Sequence, residues 1–438
     1  MENAGTGTQV AGQRRRSPVA FLTGSSLAQS ASYALSAVLA STLLGPHQRG
    51  LMVLGITTGS IAGLLSGLGT GSALRSRLPA VTGTPAAQRL LASYTWWSVV
   101  SAVTGGGLAV LLSILSGPLI DPGLAEPPFL VAVLVITIGY VALTQFPDVW
   151  YAAGRFRAGS AWAAAVAAGG LVGVLLGALL DRSAWILLLA QGLGMVTVAM
   201  VQCARLRMVG LVPLDSPDRR EMVDMLRHGF RALGLTMGLA LALRADRYVL
   251  GAVAGAATVG IYSVAATLSE GPRVVPAALG QLVNREVALG GGLSRVARAR
   301  RTALLAAALI GLVVAVGGWF LIVPVFGEAF ADARPLLLVL LVAEVAFAPF
   351  AVASRALLGG GWMTTAGLLG AAGSVVALIL FALAIPLWGA YGAAIACILT
   401  YAGLSVASWR LLRRRLGRNV APRPRETVSP PIRIGRST

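Results

Sequence analysis

Apolar segments long enough to cross a lipid bilayer recur along almost the whole of the 438-residue chain. Hydrophobic residues make up 56% of the sequence and charged residues 12%, about half the share found in soluble domains. A transmembrane helix needs about 20 apolar residues, because the bilayer core offers no water to the backbone. The sequence therefore predicts an all-α polytopic membrane protein. Its Gly-, Ala-, Val- and Leu-rich segments lack the alternation that is typical of a membrane β-barrel.

The apolar segments predict twelve transmembrane helices with short connections between them. The predicted spans are 18–44, 50–74, 90–117, 128–152, 160–180, 184–204, 232–254, 259–282, 302–326, 335–357, 364–386 and 390–410. The predicted regions are a disordered N-terminal tail (1–17), an N-lobe of six spans (18–204), a linker with an amphipathic helix (205–231), a C-lobe of six spans (232–410) and a basic disordered tail (411–438).

The basic residues are distributed very unevenly between the predicted loops. All 35 are arginine. If the N-terminus lies in the cytoplasm, only Arg49, Arg182 and Arg334 fall outside, and most of the others fall in cytoplasmic segments. This asymmetry follows the positive-inside rule and predicts a multi-pass protein of the inner (plasma) membrane with both termini in the cytoplasm. The net charge of +19 thus indicates topology and contact with anionic membrane lipid, and no nucleic-acid partner is expected.

A weak internal repeat supports two lobes of equal orientation. A shift of 210 residues brings Gly45 onto Gly255 and Gly50 onto Gly260, each pair flanking a predicted external turn. The same shift brings Arg75 onto a second arginine at the next cytoplasmic end. Since each lobe has an even number of spans, the repeat predicts a parallel pseudo-two-fold axis along the membrane normal.

Six charged residues lie within predicted spans of the C-lobe and away from the ends of those spans. They are Arg244, Asp246, Arg247, Glu270, Arg273 and Glu344. A charge at the centre of a bilayer costs about 2.5–3.5 kcal/mol on insertion scales, so a chain keeps it there when it is paired or has a function.

Two interpretations of these charges remain open. Three arginines and three carboxylates could form a neutral ion-pair network that holds the C-lobe together. Alternatively, Arg244, Arg247 and Arg273 face a hydrated cavity and bind an anion, because guanidinium groups match phosphate oxygens in a bidentate way. A carboxylate, with Asp246 preferred, would then take a coupling cation or a proton.

Two further sets of polar residues are candidates for contact with a substrate. Ser25, Gln29, Ser32 and Ser36 lie on one face of the first predicted span, which suits either sugar hydroxyls or interhelical hydrogen bonds. Arg49 lies at the predicted outer mouth, where it could attract anions or simply anchor the interface.

Two other patterns are interpreted as structural. The second span carries five glycines at a spacing of four, and tight helix packing is favoured over a hinge. These glycines are Gly55, Gly59, Gly63, Gly67 and Gly71. Asp148, near Arg155, is the other structural assignment.

The residue inventory argues against an enzyme. A nucleotide-binding P-loop needs a lysine, and the chain contains none. Two histidines and two cysteines, without a cluster of metal ligands, predict no metal site and no cofactor.

Several short motifs resemble those of polysaccharide flippases of the Wzx type. They are Asp246-Arg247-Tyr248-Val249-Leu250-Gly251, Gly260 to Ala265, Val325 to Phe330, Ile385 to Ala396, and Gly45-Pro46 in the first turn. These flippases belong to the MOP superfamily, together with MurJ-like lipid II flippases and MATE drug exporters.

The resemblance implies two six-helix lobes around a central cavity that opens alternately to the two sides. It also implies an undecaprenyl-pyrophosphate-linked oligosaccharide as the cargo, with Arg244, Arg247 and Arg273 as candidate ligands of the pyrophosphate. Asp246, Glu344 and Glu270 are the candidate sites for coupling to Na⁺ or H⁺.

Other functions stay open at this point. One is a cation-coupled multidrug exporter of the MATE type. Another, of a different class, is a membrane component of a glycan polymerase or assembly complex. A polysaccharide polymerase or glycosyltransferases are candidate protein partners.

Overall fold

The chain folds into twelve α-helices in the part that a computed structural model describes, residues 18–213 and 215–418. The helices are α1 (Pro18–Leu43), α2 (Pro46–Gly67), α3 (Thr70–Val81), α4 (Pro85–Ser116), α5 (Pro127–Ala152), α6 (Phe156–Leu180), α7 (Ala184–Met208), α8 (Arg219–Ser269), α9 (Val274–Ala288), α10 (Leu293–Phe326), α11 (Ala333–Gly359) and α12 (Met363–Arg418). Short 3₁₀ turns cover Pro122–Ala125, Gly271–Arg273 and Glu328–Phe330. The predicted tail 1–17 lies outside the described residues.

Nine helical segments of the described chain are long and apolar enough to cross a membrane. Two of them, Ala240–Ala288 and Met363–Leu416, contain 49 and 54 residues, which is more than twice what one crossing needs. Each is interrupted by a single residue with non-helical backbone angles, Gly255 (φ 77°, ψ 170°) or Gly389 (φ 55°, ψ −131°). Glycine fits these positive φ values because it has no Cβ atom.

Three predicted boundaries are wrong. The second predicted span, 50–74, is divided after Gly67, because Leu68 and Gly69 have positive φ values of 46° and 69° before α3 begins. The linker was expected to end in a separate amphipathic helix before residue 231, but α8 runs without interruption from Arg219 into the seventh predicted span. Asp218 caps this helix by accepting hydrogen bonds from the backbone N–H groups of residues 220 and 221. The predicted disordered tail also begins too early, because α12 continues to Arg418 through arginines that favour helix.

The glycine stripe of α2 packs along α5, as the sequence predicted. A Cβ atom at Gly59 would lie 3.0 Å from the hydroxyl of Thr137, and one at Gly63 would lie 3.3 Å from Val141. A Cβ atom at Gly67 would lie 3.3 Å from Nε2 of Gln145. One at Gly71, in α3, would collide with the carboxylate of Asp148. The absence of side chains thus lets two helix backbones approach each other closely.

The helices pack in two groups that meet at α2 and α8. In the first group α6 packs on α1 and α7, and α5 packs on α4 and α7. In the second, α12 packs on α8 and α11, and α11 packs on α9 and α10. Contacts between α2 and α8 join the groups.

The crossing of α2 and α8 is reciprocal. A Cβ atom at Gly50 would collide with the carbonyl oxygen of Ala256, and one at Gly260 would collide with that of Pro46. The two contacts are related by the same shift of 210 residues that the sequence repeat suggested. Two glycines therefore allow the backbones of α2 and α8 to touch at this point.

Substitution of either glycine tests how tight this crossing is. We expect Gly50→Ala and Gly260→Ala each to lower the free energy of unfolding by about 1–3 kcal/mol, because the added methyl group overpacks a backbone contact. Gly107→Ala in α4 is the control, since no atom lies within 4 Å of its Cβ position. Thermal melting in detergent measures the effect, and equal melting temperatures for all three variants would contradict the prediction.

Candidate functional site

The crossing of α2 and α8 carries Arg49 into the protein interior. Arg49 follows the Pro46 turn that begins α2, and only 3% of the residue is exposed. Its Nε and Nη1 atoms have no hydrogen-bond partner among the described residues. Arg247 of α8 lies close enough to repel its charge. Arg49 is thus a buried guanidinium with free donors, and not the interfacial anchor that was the alternative interpretation.

Two arginines of α8 lie one helical turn apart and differ in their contacts. Arg244 reaches across to α2, where its Nη1 donates a hydrogen bond of 2.7 Å to Oγ of Ser60. The Nη2 of Arg247 lies 4.0 Å from Oε1 of Glu270, while its Nε has no partner in the described part of the chain. Neither guanidinium is held in a close bidentate ion pair.

Asp246 is buried without an ion pair to any residue that the structure describes. Its Oδ1 accepts a 2.9 Å hydrogen bond from the backbone N–H of Arg247, and its Oδ2 accepts one of 2.6 Å from the hydroxyl of Tyr262. The Tyr262 hydroxyl lies 3.9 Å from Sγ of Cys397. The carboxylate is therefore hydrogen-bonded, and Arg247 and Arg273 act on its charge from a distance without a close ion pair among the described residues.

Arg273 and Glu344 form a bidentate ion pair between the 3₁₀ turn after α8 and α11. The Nη2 of Arg273 donates to Oε1 of Glu344 at 2.5 Å, and its Nε donates to the other carboxylate oxygen. The guanidinium lies over the rings of Phe347 and Tyr401, 5.0 and 5.8 Å from their centres. This pair fits the neutral-network interpretation, because each partner satisfies the other.

The charges that gather around α8 do not cancel once Arg49 is included. Four arginines (Arg49, Arg244, Arg247 and Arg273) stand against three carboxylates (Asp246, Glu270 and Glu344). The sequence-based count of three against three left out Arg49, whose burial depends on a helix 200 residues away. Unpaired guanidinium donors in a region of low dielectric attract an anion, because burial of an isolated charge is costly.

Two hydroxyls of the polar stripe of α1 form hydrogen bonds within their own helix. The hydroxyls of Ser32 and Ser36 donate to backbone carbonyls of their own helix, those of Ala28 and Ser32. Ser25 is half-buried. Gln29 alone of these four lines a cavity of about 320 Å³ at the end of α2 that leads into α3.

Three polar residues that line this cavity were not recognised as candidates in the sequence. Gln145 and Tyr151 belong to α5, as does Asp148, which had been assigned to a structural role near Arg155. Asp148 instead pairs with Arg75 of α3 at 3.2 Å, while Arg155 lies over the ring of Trp150. An amide and a carboxylate within one apolar span were the signal that could have revealed this site.

The fold is similar to that of solved membrane transporters of the MOP superfamily. An inward-facing multidrug resistance MATE family transporter matches with a TM-score of 0.71 and 17% identity, over 90% of this chain and 96% of that chain. The lipid II flippase MurJ in an inward closed conformation matches with a TM-score of 0.70 and 10% identity, over 92% and 93%. An outward-facing MATE transporter gives a TM-score of 0.59 at 17% identity, over 92% and 97%.

The model of the polysaccharide biosynthesis protein family matches residues 19–284, which is more than half of the chain. The chain therefore belongs to this family, and the resemblance drawn from its motifs is confirmed. No protein among the curated sequences matches it.

The two types of buried arginine predict opposite effects on stability. We expect Arg273→Met to lower the free energy of unfolding by about 3–5 kcal/mol, because Glu344 would be left as a buried unpaired charge. Arg49→Met removes an uncompensated charge and should leave stability equal or higher. Thermal melting in detergent distinguishes the variants, and the double change Arg273→Met with Glu344→Met should recover most of the loss. A larger loss from Arg49→Met than from Arg273→Met would contradict this account.

Proposed function

We propose that the protein is a flippase for an undecaprenyl-pyrophosphate-linked oligosaccharide, which it carries across the inner membrane for synthesis of a cell-surface polysaccharide. The observation that carries the proposal is the set of unpaired guanidinium donors where α2 crosses α8. Among the residues that the structure describes, Arg49 and Arg247 lack partners at three nitrogen atoms, and Arg244 donates a hydrogen bond to the hydroxyl of Ser60. Membership of the polysaccharide biosynthesis family supports this cargo.

A pyrophosphate suits this arrangement chemically. Its oxygens accept hydrogen bonds from guanidinium groups in the bidentate geometry that arginine provides. Because Arg49 comes from α2 and Arg247 from α8, an anion between them would replace a repulsion by two attractions. The substrate would then bind most tightly when α2 and α8 are close together, and only such differential binding can shift a conformational equilibrium.

The proposed transport cycle depends on twelve spans in two six-helix lobes. Nine candidate spans become twelve when the two longest segments are divided at Gly255 and Gly389 and α1 is added. The reciprocal contacts of Gly50 and Gly260 support a pseudo-two-fold relation between the lobes. The arginine distribution supports cytoplasmic termini, so this crossing would close the outer side, and its separation would open the cavity outward.

Coupling to Na⁺ or H⁺ is proposed at Asp246. This carboxylate is 4% exposed and has no ion-pair partner among the described residues, so a bound cation or proton would offset the cost of its burial. Glu344 is occupied by Arg273, and the side chain of Glu270 is 52% exposed. Among the three candidate carboxylates, Asp246 thus gains most from a bound cation.

A drug exporter is the second candidate, because the fold is also that of a MATE transporter. The net positive charge around α8 disfavours a cationic drug as its cargo. The two functions make different demands on the arginines, since a flippase needs them for its anion and an exporter of cations does not.

Transport by purified protein in liposomes tests the flippase. We expect Arg49→Ala, Arg244→Ala and Arg247→Ala each to slow the appearance of an undecaprenyl-pyrophosphate-linked oligosaccharide at the opposite leaflet, measured by lectin binding. The expected loss is about 10- to 100-fold, which corresponds to the hydrogen bonds of a charged group. Arg182→Ala is the matched control, because that arginine is exposed. Normal flipping by folded Arg49 and Arg244 variants would reject the proposal. Export of a cationic dye that is unaffected by all three arginine substitutions would also reject it.

The coupling ion is tested in the same liposomes. We expect an imposed gradient of Na⁺ or of H⁺ to accelerate flipping by the wild-type protein, and Asp246→Asn to abolish this acceleration while it retains lipid binding. Glu270→Gln is the matched control and should keep the response, because its side chain is already solvated. A wild-type protein that is indifferent to both gradients would show that transport is not coupled to either ion.

A further inference from the structure

The cavity at the junction of α2 and α3 is large enough for a small polar ligand. Its volume of about 320 Å³ lies within the range of about 300–1,000 Å³ that is usual for small-molecule sites. Residues from α1 to α6 and from the start of α8 line it. Its lining includes Gly63 and Gly67 of α2 and Gly71 of α3, so backbone forms part of the wall there.

Gln145 presents a buried amide to this cavity in a fixed orientation. Its Nε2 donates to Oγ of Ser101 at 3.1 Å, and its Oε1 accepts from Oγ of Ser98 at 3.0 Å. A side-chain amide has two donor hydrogens and two acceptor lone pairs. The single hydroxyl hydrogen of Ser98 is shared with the carbonyl of Tyr94, so the amide keeps one donor hydrogen and at least one acceptor lone pair. This matches a hydroxyl group, since a hydroxyl both donates and accepts.

The charged groups of the cavity cancel each other. Asp148 and Arg75 lie 3.2 Å apart, and the carboxylate rests against the backbone of Gly71, where any side chain would displace it. The carboxylate oxygen of Asp148 that does not face Arg75 adds polar surface to the same wall, and the ring of Tyr151 adds apolar surface. A neutral, hydroxyl-rich ligand fits this lining better than an anion or a cation does.

The cavity lies close to the arginine region along α2. Gly63 lines the cavity, and Ser60, which accepts the hydrogen bond of Arg244, precedes it by less than one helical turn. Three residues of helix correspond to about 4.5 Å along its axis. A sugar attached to a phosphate group that Arg244 holds would thus lie beside the cavity.

We infer that this cavity is a sugar-binding subsite, which takes an uncharged sugar unit next to the pyrophosphate through Gln145, Asp148 and Tyr151. The inference rests on the proposed function and extends it. It assigns the anionic part of the cargo to the arginines around α8 and the neutral part to the helices from α1 to α6. Recognition of the sugar would therefore depend on a different group of helices from recognition of the phosphates.

Binding of defined lipids tests the subsite. The probes are undecaprenyl pyrophosphate and its conjugates with glucose, galactose or N-acetylglucosamine, titrated against the full-length protein in nanodiscs. We expect at least one conjugate to bind about tenfold more tightly than the bare pyrophosphate. Gln145→Leu should remove this advantage and leave the affinity for the bare lipid unchanged, because Ser98 and Ser101 keep their other hydrogen bonds, to the backbone carbonyls of Tyr94 and Ser66.

Gln202→Leu provides the matched control. Gln202 is a fully buried amide of α7 that does not line the cavity and has no hydrogen-bond partner among the described residues. It should bind every probe as the wild type does. The subsite is refuted if no conjugate binds more tightly than the bare lipid, or if Gln145→Leu weakens all probes equally.

The same titration separates this inference from the proposed function. Bare undecaprenyl pyrophosphate that binds through Arg49 and Arg244 supports the anion site, whether or not any sugar adds affinity. If the bare lipid does not bind, or binds equally well to Arg49→Ala and Arg244→Ala, the proposed anion site fails. A conjugate that still binds through Gln145 would leave the sugar subsite intact in that case.

Discussion

The approach of α2 to α8 is the contact on which the rest of this structure depends. Gly50 and Gly260 let the backbones touch, and no other residue could occupy either position without separating the helices. Because the contact is so close, residues beside it are forced inside, and Arg49 loses its access to water. Tyr248 of α8 and Thr58 of α2 add a hydrogen bond along the same crossing. Close packing at these two glycines thus determines that Arg49 is buried.

The buried charges follow two different rules. Arg273 and Glu344 obey the usual one, in which a buried ion is paired and hydrogen-bonded at both ends. Arg49 and Asp246 do not, since neither is in an ion pair with a residue that the structure describes. Groups of the first kind stabilise the fold, whereas groups of the second kind cost free energy while no ligand is present. A transporter can use that cost, because a bound anion or cation then favours one conformation over another.

Local sequence patterns predicted the parts of this structure that depend on one helix at a time. Apolar length predicted an all-helical membrane protein, in which nine described segments are long and apolar enough to cross a bilayer. The four-residue spacing of glycines predicted a packed face of α2, which α5 covers. The charges of α8 were found because they interrupt an apolar segment. The burial of Arg49, the pairing of Asp148 with Arg75 and the orientation of Gln145 could not be predicted, because each depends on a helix distant in sequence. The continuous α8 was missed because its first turns are polar.

Under the proposed function, the arrangement separates two problems that a lipid-linked glycan poses to a membrane protein. Its phosphates need positive charge, which is costly to bury, whereas its sugars need many weak hydrogen bonds, which require only polar groups of fixed orientation. A single cavity that met both needs would place arginines among sugar hydroxyls, where water and counter-ions would screen them. Here the arginines lie near the crossing of α2 and α8, and the polar groups of α5 lie beside the end of α2 that leads into α3. One helix therefore connects both regions, so that movement of α2 relative to α8 would act on the phosphates and the sugar together.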